Sequence, residues 1–93
     1  TMDYKQVTWV ERDDANPARR ISALGGRDFR HSAVEAIMNI HFERCGYWMM
    51  HAGAPVWIVL DTRPGIIYLR TQTDEAEPEI LLSLARPPLR QMR

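Results

Sequence analysis

Apolar residues are concentrated in the middle of the chain, and their pattern predicts three strands. Residues 56–60 are apolar throughout, which is typical of a strand that is covered on both faces. Pro64 and Gly65 then combine a fixed φ with tolerance of positive φ, as a tight turn requires. Gly53 indicates another turn upstream. We therefore expect residues 47–71 to form three antiparallel strands joined by two turns.

The alternation along these strands separates two faces of the predicted sheet. The face assigned to the core carries Tyr47, Met49, Val56, Ile58, Leu60, Ile67 and Leu69. The second face carries Trp48, Met50, Trp57, Val59, Ile66, Tyr68 and Arg70. This second face is too aromatic for free solvent, so the N-terminal strands, the C-terminal segment or a partner should cover it.

The expected turn lengths set the register of the two hairpins. A loop at residues 62–65 would place Trp57 opposite Arg70, in a cross-strand cation–π pair worth about 0.5–2 kcal/mol. With residues 53 and 54 at the tip of the first hairpin, Met50 would lie opposite Trp57.

Two β-rich runs precede the central strands, at residues 4–12 and 19–24. In the first run, Val7 and Trp9 are expected on one side of a strand. The second run ends at Gly25 and Gly26, which indicate a tight turn or a place where backbone comes close to another group.

A helix is predicted between these runs and the central strands. Ser32 and Glu35 have the spacing of a capping box, so we expect the helix to begin at residue 33. Gly46 is the expected stop signal, which gives a helix over residues 33–45.

The apolar side of this helix is broader than one sheet would cover. It carries Val34, Ile37, Met38, Ile40 and Phe42, with His41 inside the same arc. An ordinary surface helix has an apolar stripe only about 100° wide. The surplus should meet either residues 80–84, which fit a strand and a helical turn equally well, or a second copy of the chain. A symmetric homodimer is the expected solution.

The chain is interpreted as a single domain of 93 residues. Its ordered core is expected at about residues 4–84, with an extended tail at residues 85–93. The predicted fold is α+β, in the order β-β-α-β-β-β, with a small mainly antiparallel sheet and one helix packed on it.

Composition limits the possible function classes. Hydrophobic residues make up 45% and charged residues 26%, which is typical of a globular protein and not of a disordered chain. The formal net charge is zero, so there is no general attraction to nucleic acid or anionic lipid. The single cysteine allows no intrachain disulfide and fits a reducing compartment. No apolar run approaches the ~20 residues of a membrane span.

Short motifs spread over roughly two thirds of the chain form a recognisable series. They are Arg20-Ile21-Ser22-Ala23-Leu24 with Gly25-Gly26, then Ala36-Ile37, Tyr47-Trp48, Gly53, the alternating Val56 and Ile58, Tyr68-Leu69-Arg70-Thr71, Asp74 and Leu81-Leu82-Ser83-Leu84. In these motifs the chain resembles the uncharacterised bacterial family catalogued as domain of unknown function 3892. It departs from the family at Ala54, at Ile80 and at residues 85–87. The resemblance supports the fold boundaries and implies no activity.

Two histidines and the single cysteine are the residues that a metal site would use. His41 and Cys45 fall one helical turn apart and His51 follows, but zinc would need a fourth ligand, either His31 or Asp61. A buried cysteine and a hydrogen-bonded core histidine form the simpler interpretation. A nucleophilic Cys45 would also lack an oxyanion hole and is expected to be buried and inert. We therefore expect no catalytic residue, no metal site and no cofactor.

Protein contacts are the function that the apolar surplus favours. The expected interaction surface combines the second sheet face with the apolar side of the helix, and consists of Trp48, Trp57, Tyr68, Arg70, Met38 and Phe42. We expect a small non-enzymatic protein-interaction module of the bacterial cytoplasm, with an unidentified protein partner and a possible homodimer. The alternative is a nucleic-acid-binding domain, in which Arg20, Arg27 and Arg70 lie beside the aromatic sheet face.

Overall fold

The computed structural model describes residues 2–88, which form two sheets and two helices. The elements are β1 (Asp3–Gln6), β2 (Trp9–Arg12), β3 (Ile21–Gly25), β4 (Arg30–Ser32), α1 (Ala33–His41), β5 (Cys45–His51), β6 (Ala54–Arg63), β7 (Ile66–Thr71) and α2 (Glu79–Leu82). One sheet has the order β1-β5-β6-β7 and the other β2-β3-β4. All neighbouring strands are antiparallel except β1 and β5. The predicted α+β class, with mainly antiparallel strands and one main helix packed on them, is confirmed.

The first β-rich run is divided between the two sheets. Val7 donates its backbone N–H to a carbonyl of β5 at 2.8 Å, whereas Thr8 donates to a carbonyl of β3 at 2.9 Å. The chain thus passes from one sheet to the other between these residues. As a result Val7, Trp9 and Val10 are all buried, which a continuous strand with alternating faces would not allow.

The paired glycines mark a close approach of backbone to other groups. Gly25 belongs to β3, and a Cβ there would lie 2.1 Å from the Trp9 ring. A Cβ at Gly26 would lie 2.3 Å from the carbonyl oxygen of Gln6. Any side chain at either position would collide with its neighbours, so of the two alternatives for this pair, close approach explains both glycines.

The capping box at the start of α1 is confirmed. The Ser32 hydroxyl accepts from the backbone N–H of Glu35 at 3.0 Å, and the Glu35 carboxylate accepts from the backbone N–H of Ser32 at 3.3 Å. The predicted end at Cys45 is wrong. The helix ends at His41, and Glu43 turns the chain through a positive φ of 56°.

Strand pairing explains the earlier end of the helix. Cys45 already pairs with Asp3, so the parallel β1–β5 ladder uses residues that helical propensity assigned to α1. Gly46 is therefore a strand residue and not a helix stop. Its lack of a side chain admits the Tyr4 ring, which a Cβ would approach to 3.0 Å.

The second hairpin has a tighter turn than predicted, and the tip of the first lies at residues 52 and 53 instead of 53 and 54. His51 pairs with Ala54 across a two-residue turn, and Arg63 pairs with Ile66 across another. Positive φ values of 52° at Ala52 and 81° at Gly53 fit the turn geometry that matches strand twist. Each register is thereby shifted by two residues from the prediction.

A shift of two residues keeps every side chain on its predicted face, because side chains alternate with a period of two. The individual cross-strand pairs do change. Arg70 lies opposite Val59, and Trp57 lies opposite Trp48 on β5. The predicted cation–π pair between Trp57 and Arg70 is therefore wrong.

The core lies between the two sheets, with α1 and α2 packed against them. Its buried members include Val7, Val10, Ile21, Leu24, Ala33, Ala36, Ile37, Tyr47, Met49, Ile58, Leu69, Leu81 and Leu82. Ile67 is an exception on the predicted core face, since 41% of it is exposed.

The C-terminal apolar segment forms the short helix α2, and Asp74 attaches it to the sheet. The Asp74 carboxylate accepts from the backbone N–H and the hydroxyl of Thr71, both at 3.0 Å, and from the N–H of Ile80 at 2.9 Å. Beyond α2, Ala85 forms a parallel bridge with Trp9 of β2. Residues 89–93 of the predicted tail lie outside the described residues.

Candidate functional site

The first candidate surface is formed by the outer side of β1, β5 and β6. We call it the hairpin face, and it consists of Tyr4, Trp48, Met50, Pro55, Trp57 and Gln72. Cross-strand pairing places Trp48 against Trp57 and Met50 against Pro55. These residues surround an open groove of about 550 Å³.

Trp57 is the centre of the hairpin face. It is 46% exposed, and its ring lies 5.4 Å from the Tyr4 ring at a tilt of 59°. Its backbone N–H donates to the Gln72 side chain at 2.7 Å, and the N–H of Gln72 donates back to the Trp57 carbonyl at 2.9 Å. The neighbours of Trp57 on β1 and after β7 therefore hold the strand that carries it.

The outer part of the β5–β6 hairpin, which carries this face, extends beyond the rest of the sheet and contains no charged residue. β7 pairs with β6 only as far as Ile58, so the β6 segment from Ala54 to Trp57 lies beyond the end of that ladder. Residues 50–55 at the tip are all exposed. Residues 45–60 contain no Asp, Glu, Lys or Arg. An exposed apolar surface without charge, such as this one, is typical of an interaction site.

Tyr68 and Arg70, which we expected on the same surface, are instead covered by residues 72–79. Tyr68 is only 2% exposed, and its hydroxyl donates to the Ala76 carbonyl at 2.9 Å. Arg70 donates to the Asp61 carboxylate at 2.7 Å and to the Asp74 carbonyl at 2.9 Å. The acidic segment thus covers the charged half of the second sheet face.

Ion pairs around this cover hold several of the arginines. Glu77 contacts Arg20 at 3.1 Å and Arg63 at 2.6 Å, and the hydrogen bond from Arg20 is the main cause of its lowered pKa. The pKa of Asp61 is lowered mainly by the hydrogen bond from Arg70. Arg20 and Arg70 therefore contact acids of the same chain, which weakens the case for a nucleic-acid platform.

Met38 and Phe42 form part of a separate surface on α1. Val34, Met38 and Phe42 follow one another at four-residue spacing, and all three are exposed, Phe42 by 58%. Of the two alternatives for covering this side of α1, residues 80–84 do not cover it, because α2 packs on β2 and β7. The homodimer stays a prediction.

The candidate metal ligands do not meet. Cys45 is buried at one end of β5, whereas His51 is exposed at the other end. His41 is exposed at the end of α1, so its predicted place in the core is wrong. Among residues 2–88, no three His, Cys, Asp or Glu side chains are arranged to hold a metal ion.

A polar cluster around the buried Tyr47 was not predicted from the sequence. The Tyr47 hydroxyl lies 2.6 Å from Nδ1 of His31 and accepts from the Asn39 amide at 2.9 Å. Burial raises the pKa of Tyr47, so its phenol stays neutral far into the alkaline range. The cluster joins β4, α1 and β5. The signal in the sequence was a tyrosine on the core face, whose hydroxyl needs a partner when buried.

Comparison with known protein families, curated proteins and solved structures finds no match for this chain. The resemblance to the uncharacterised bacterial family therefore stays a prediction. Neither described helix is long and apolar enough to cross a membrane.

Proposed function

We propose that this protein is a non-enzymatic interaction module that binds a protein partner through the hairpin face. The observation that carries the proposal is the uncharged hairpin, which places the exposed Met50 and Trp57 around one open groove. A partner that covers this face would bury apolar surface without removing any charged side chain of residues 45–60 from water. The expected setting is a reducing bacterial cytoplasm, since the single cysteine is unpaired.

The residue types of the hairpin face, and the contacts that hold Trp57 in place, favour tight binding of a partner. Tryptophan, tyrosine and methionine are enriched at protein interfaces, and tryptophan is frequent among the residues that dominate binding energy. The paired hydrogen bonds with Gln72 hold the Trp57 backbone, and the Tyr4 ring packs against the Trp57 side chain. A residue that is already held in place loses less conformational freedom on binding, so more of its contact energy remains as affinity.

Affinity capture followed by reconstitution tests the proposal. The wild-type chain, Trp57→Ser and the control Phe42→Ser would be used as baits with extract of the source cell. A captured protein would then be purified and titrated against all three by calorimetry. We expect Trp57→Ser to weaken binding by about 30-fold, as a hot spot of ~2 kcal/mol implies, and Phe42→Ser to leave it unchanged. Equal affinity of the wild-type and Trp57→Ser proteins would refute the hairpin face.

Nucleic-acid binding is the weaker alternative. Its platform needs Arg20 and Arg70, and both contact carboxylates of the same chain. We expect fluorescence anisotropy to show no salt-dependent binding of a single-stranded oligonucleotide. Binding that weakens as salt rises and is lost in Arg27→Glu would instead favour this alternative.

A further inference from the structure

A second groove lies on another side of the molecule, between α1 and the turn that joins β6 and β7. Its apolar surface includes Val34 and Met38 of α1 and Ile67 of β7, and its rim carries Arg19 and Arg63. The groove encloses about 480 Å³, and we call it the α1 groove.

The α1 groove exists because one helix does not cover the core face of the sheet. Neighbouring strands lie about 4.8 Å apart, so four strands exceed the ~10 Å width of a helix. Ile67 points to the core face but remains 41% exposed, and the adjacent Met38 is 44% exposed. The helical layer is thus incomplete beside α1, and a second amphipathic helix would complete it.

The charge around the groove indicates the chemistry of that helix. Arg19 donates from Nε to the Ile67 carbonyl at 3.2 Å, which holds its guanidinium beside the apolar surface. Arg63 borders the groove with its backbone, but its guanidinium lies over the Tyr68 ring on the opposite face of the sheet and pairs with Glu77. Arg19 therefore supplies the positive charge at the groove.

We propose that the α1 groove binds an amphipathic helix of a partner protein, with its apolar stripe on Met38 and Ile67 and an acidic flank towards Arg19. Helices that bind in grooves use apolar anchors at positions i, i+4 and i+7, which suits an apolar channel with polar edges. Acids on the flank would pair with Arg19 and fix the direction of the helix. This site is independent of the hairpin face.

A displayed library of helical peptides tests the proposal with the intact protein. Each peptide carries leucine at positions i, i+4 and i+7, and its flanking positions are drawn from Glu, Lys, Gln and Ser. We expect selection to enrich glutamate on one flank. The enriched peptide and its lysine counterpart are then titrated by fluorescence anisotropy, and the glutamate peptide should bind at least about tenfold more tightly.

Variants decide which surface the peptide uses. Arg19→Glu should weaken the glutamate peptide by about tenfold and strengthen the lysine peptide. Met38→Ser should weaken both peptides, and Trp57→Ser should weaken neither. If Arg19→Glu does not fold, Val34→Gln removes apolar surface from the groove without changing its charge and should weaken both peptides.

Several results would overturn this inference. Selection could enrich no residue type at the flanking positions, the glutamate and lysine peptides could bind equally tightly, or Met38→Ser could leave peptide binding unchanged. Sedimentation of the chain alone provides a further test. A dimer at micromolar concentration that Met38→Ser dissociates would show that a second copy covers the groove, and would refute a partner helix.

Discussion

Replacing Asp74 by alanine should be among the more damaging changes outside the apolar core. Asp74 is 9% exposed and lies between the end of β7 and the start of α2. Its two carboxylate oxygens accept from three donors, two of them backbone N–H groups of Thr71 and Ile80. The side chain therefore holds α2 in position, and with it Leu81 and Leu82 in the core.

The size of the effect follows from the donors that lose their acceptor. A hydrogen bond to a charged group contributes about 1.5–3 kcal/mol, and a buried donor left unpaired costs about 1–3 kcal/mol. The Thr71 hydroxyl keeps a neighbour in the Thr73 hydroxyl at 3.3 Å, so the two backbone donors dominate. We expect Asp74→Ala to lower the free energy of unfolding by about 3 kcal/mol, which is a fall of about 12–24 °C in Tm for this size of domain.

Chemical denaturation monitored by tryptophan fluorescence measures this loss. Asp74→Asn preserves the volume but offers one acceptor oxygen in place of two, so it should lose about half as much, ~1.5 kcal/mol. Glu75→Ala is the matched control, because Glu75 is an exposed acid next to Asp74 in the chain. Equal stability of Asp74→Ala and Glu75→Ala would refute the role of the carboxylate. Equal loss in Asp74→Ala and Asp74→Asn would assign the effect to charge instead of to acceptor number.

Three further predictions concern stability. Trp57→Ser should lower the free energy of unfolding by only about 1 kcal/mol, because the Trp57 side chain is half exposed and its removal costs mainly one aromatic contact. A loss of about 3–5 kcal/mol in thermal melts would mean that Trp57 is buried. Gly25→Ala should destabilise by about 2–3 kcal/mol through collision with a buried indole ring, whereas Gly65→Asn, with open space and a tolerated positive φ, should be nearly neutral in the same melts. Hydrogen bonds from arginines lower the pKa of Asp61 and Glu77 below their ordinary values of 3.8 and 4.5. The stability that these carboxylates contribute is thus present above their ordinary pKa values and is lost as pH falls through their lowered pKa values. In the Asp61→Asn and Glu77→Gln double variant, the free energy of unfolding should therefore depend less on pH between about pH 5 and 2. An unchanged dependence on pH would contradict the ion pairs.

The sequence predicted best what depends on local pattern. The two faces of the central sheet follow from alternation, and a two-residue error in register does not change them. The capping box at Ser32 and Glu35 is equally local, because its two hydrogen bonds join residues three apart. The fold class and the first residue of α1 could therefore be predicted without knowledge of any long-range contact.

What the sequence could not predict depends on distant partners. The end of α1 is decided by pairing of Cys45 with Asp3, which lies more than forty residues away. The turn lengths depend on Ala52 adopting a positive φ, which alanine rarely does and the hairpin imposes. Trp48 and Trp57 were correctly placed on one face, but their exposure depends on where β7 ends.

One electrostatic reason separates Trp48 and Trp57 from Tyr68 and Arg70 on the second sheet face. β6 pairs with β5 over an uncharged stretch and with β7 over a stretch that includes Asp61 and Arg63. Arginines near a sheet need partners, and residues 72–79 provide them: Glu77 pairs with Arg63, and the carbonyls of Ala76 and Asp74 accept from Arg63 and Arg70. No acid or base lies within residues 45–60 to attract a similar cover. The intramolecular ion pairs that cover Tyr68 and Arg70 thereby leave Trp57 exposed, which is why partner binding is assigned to the uncharged half of the face.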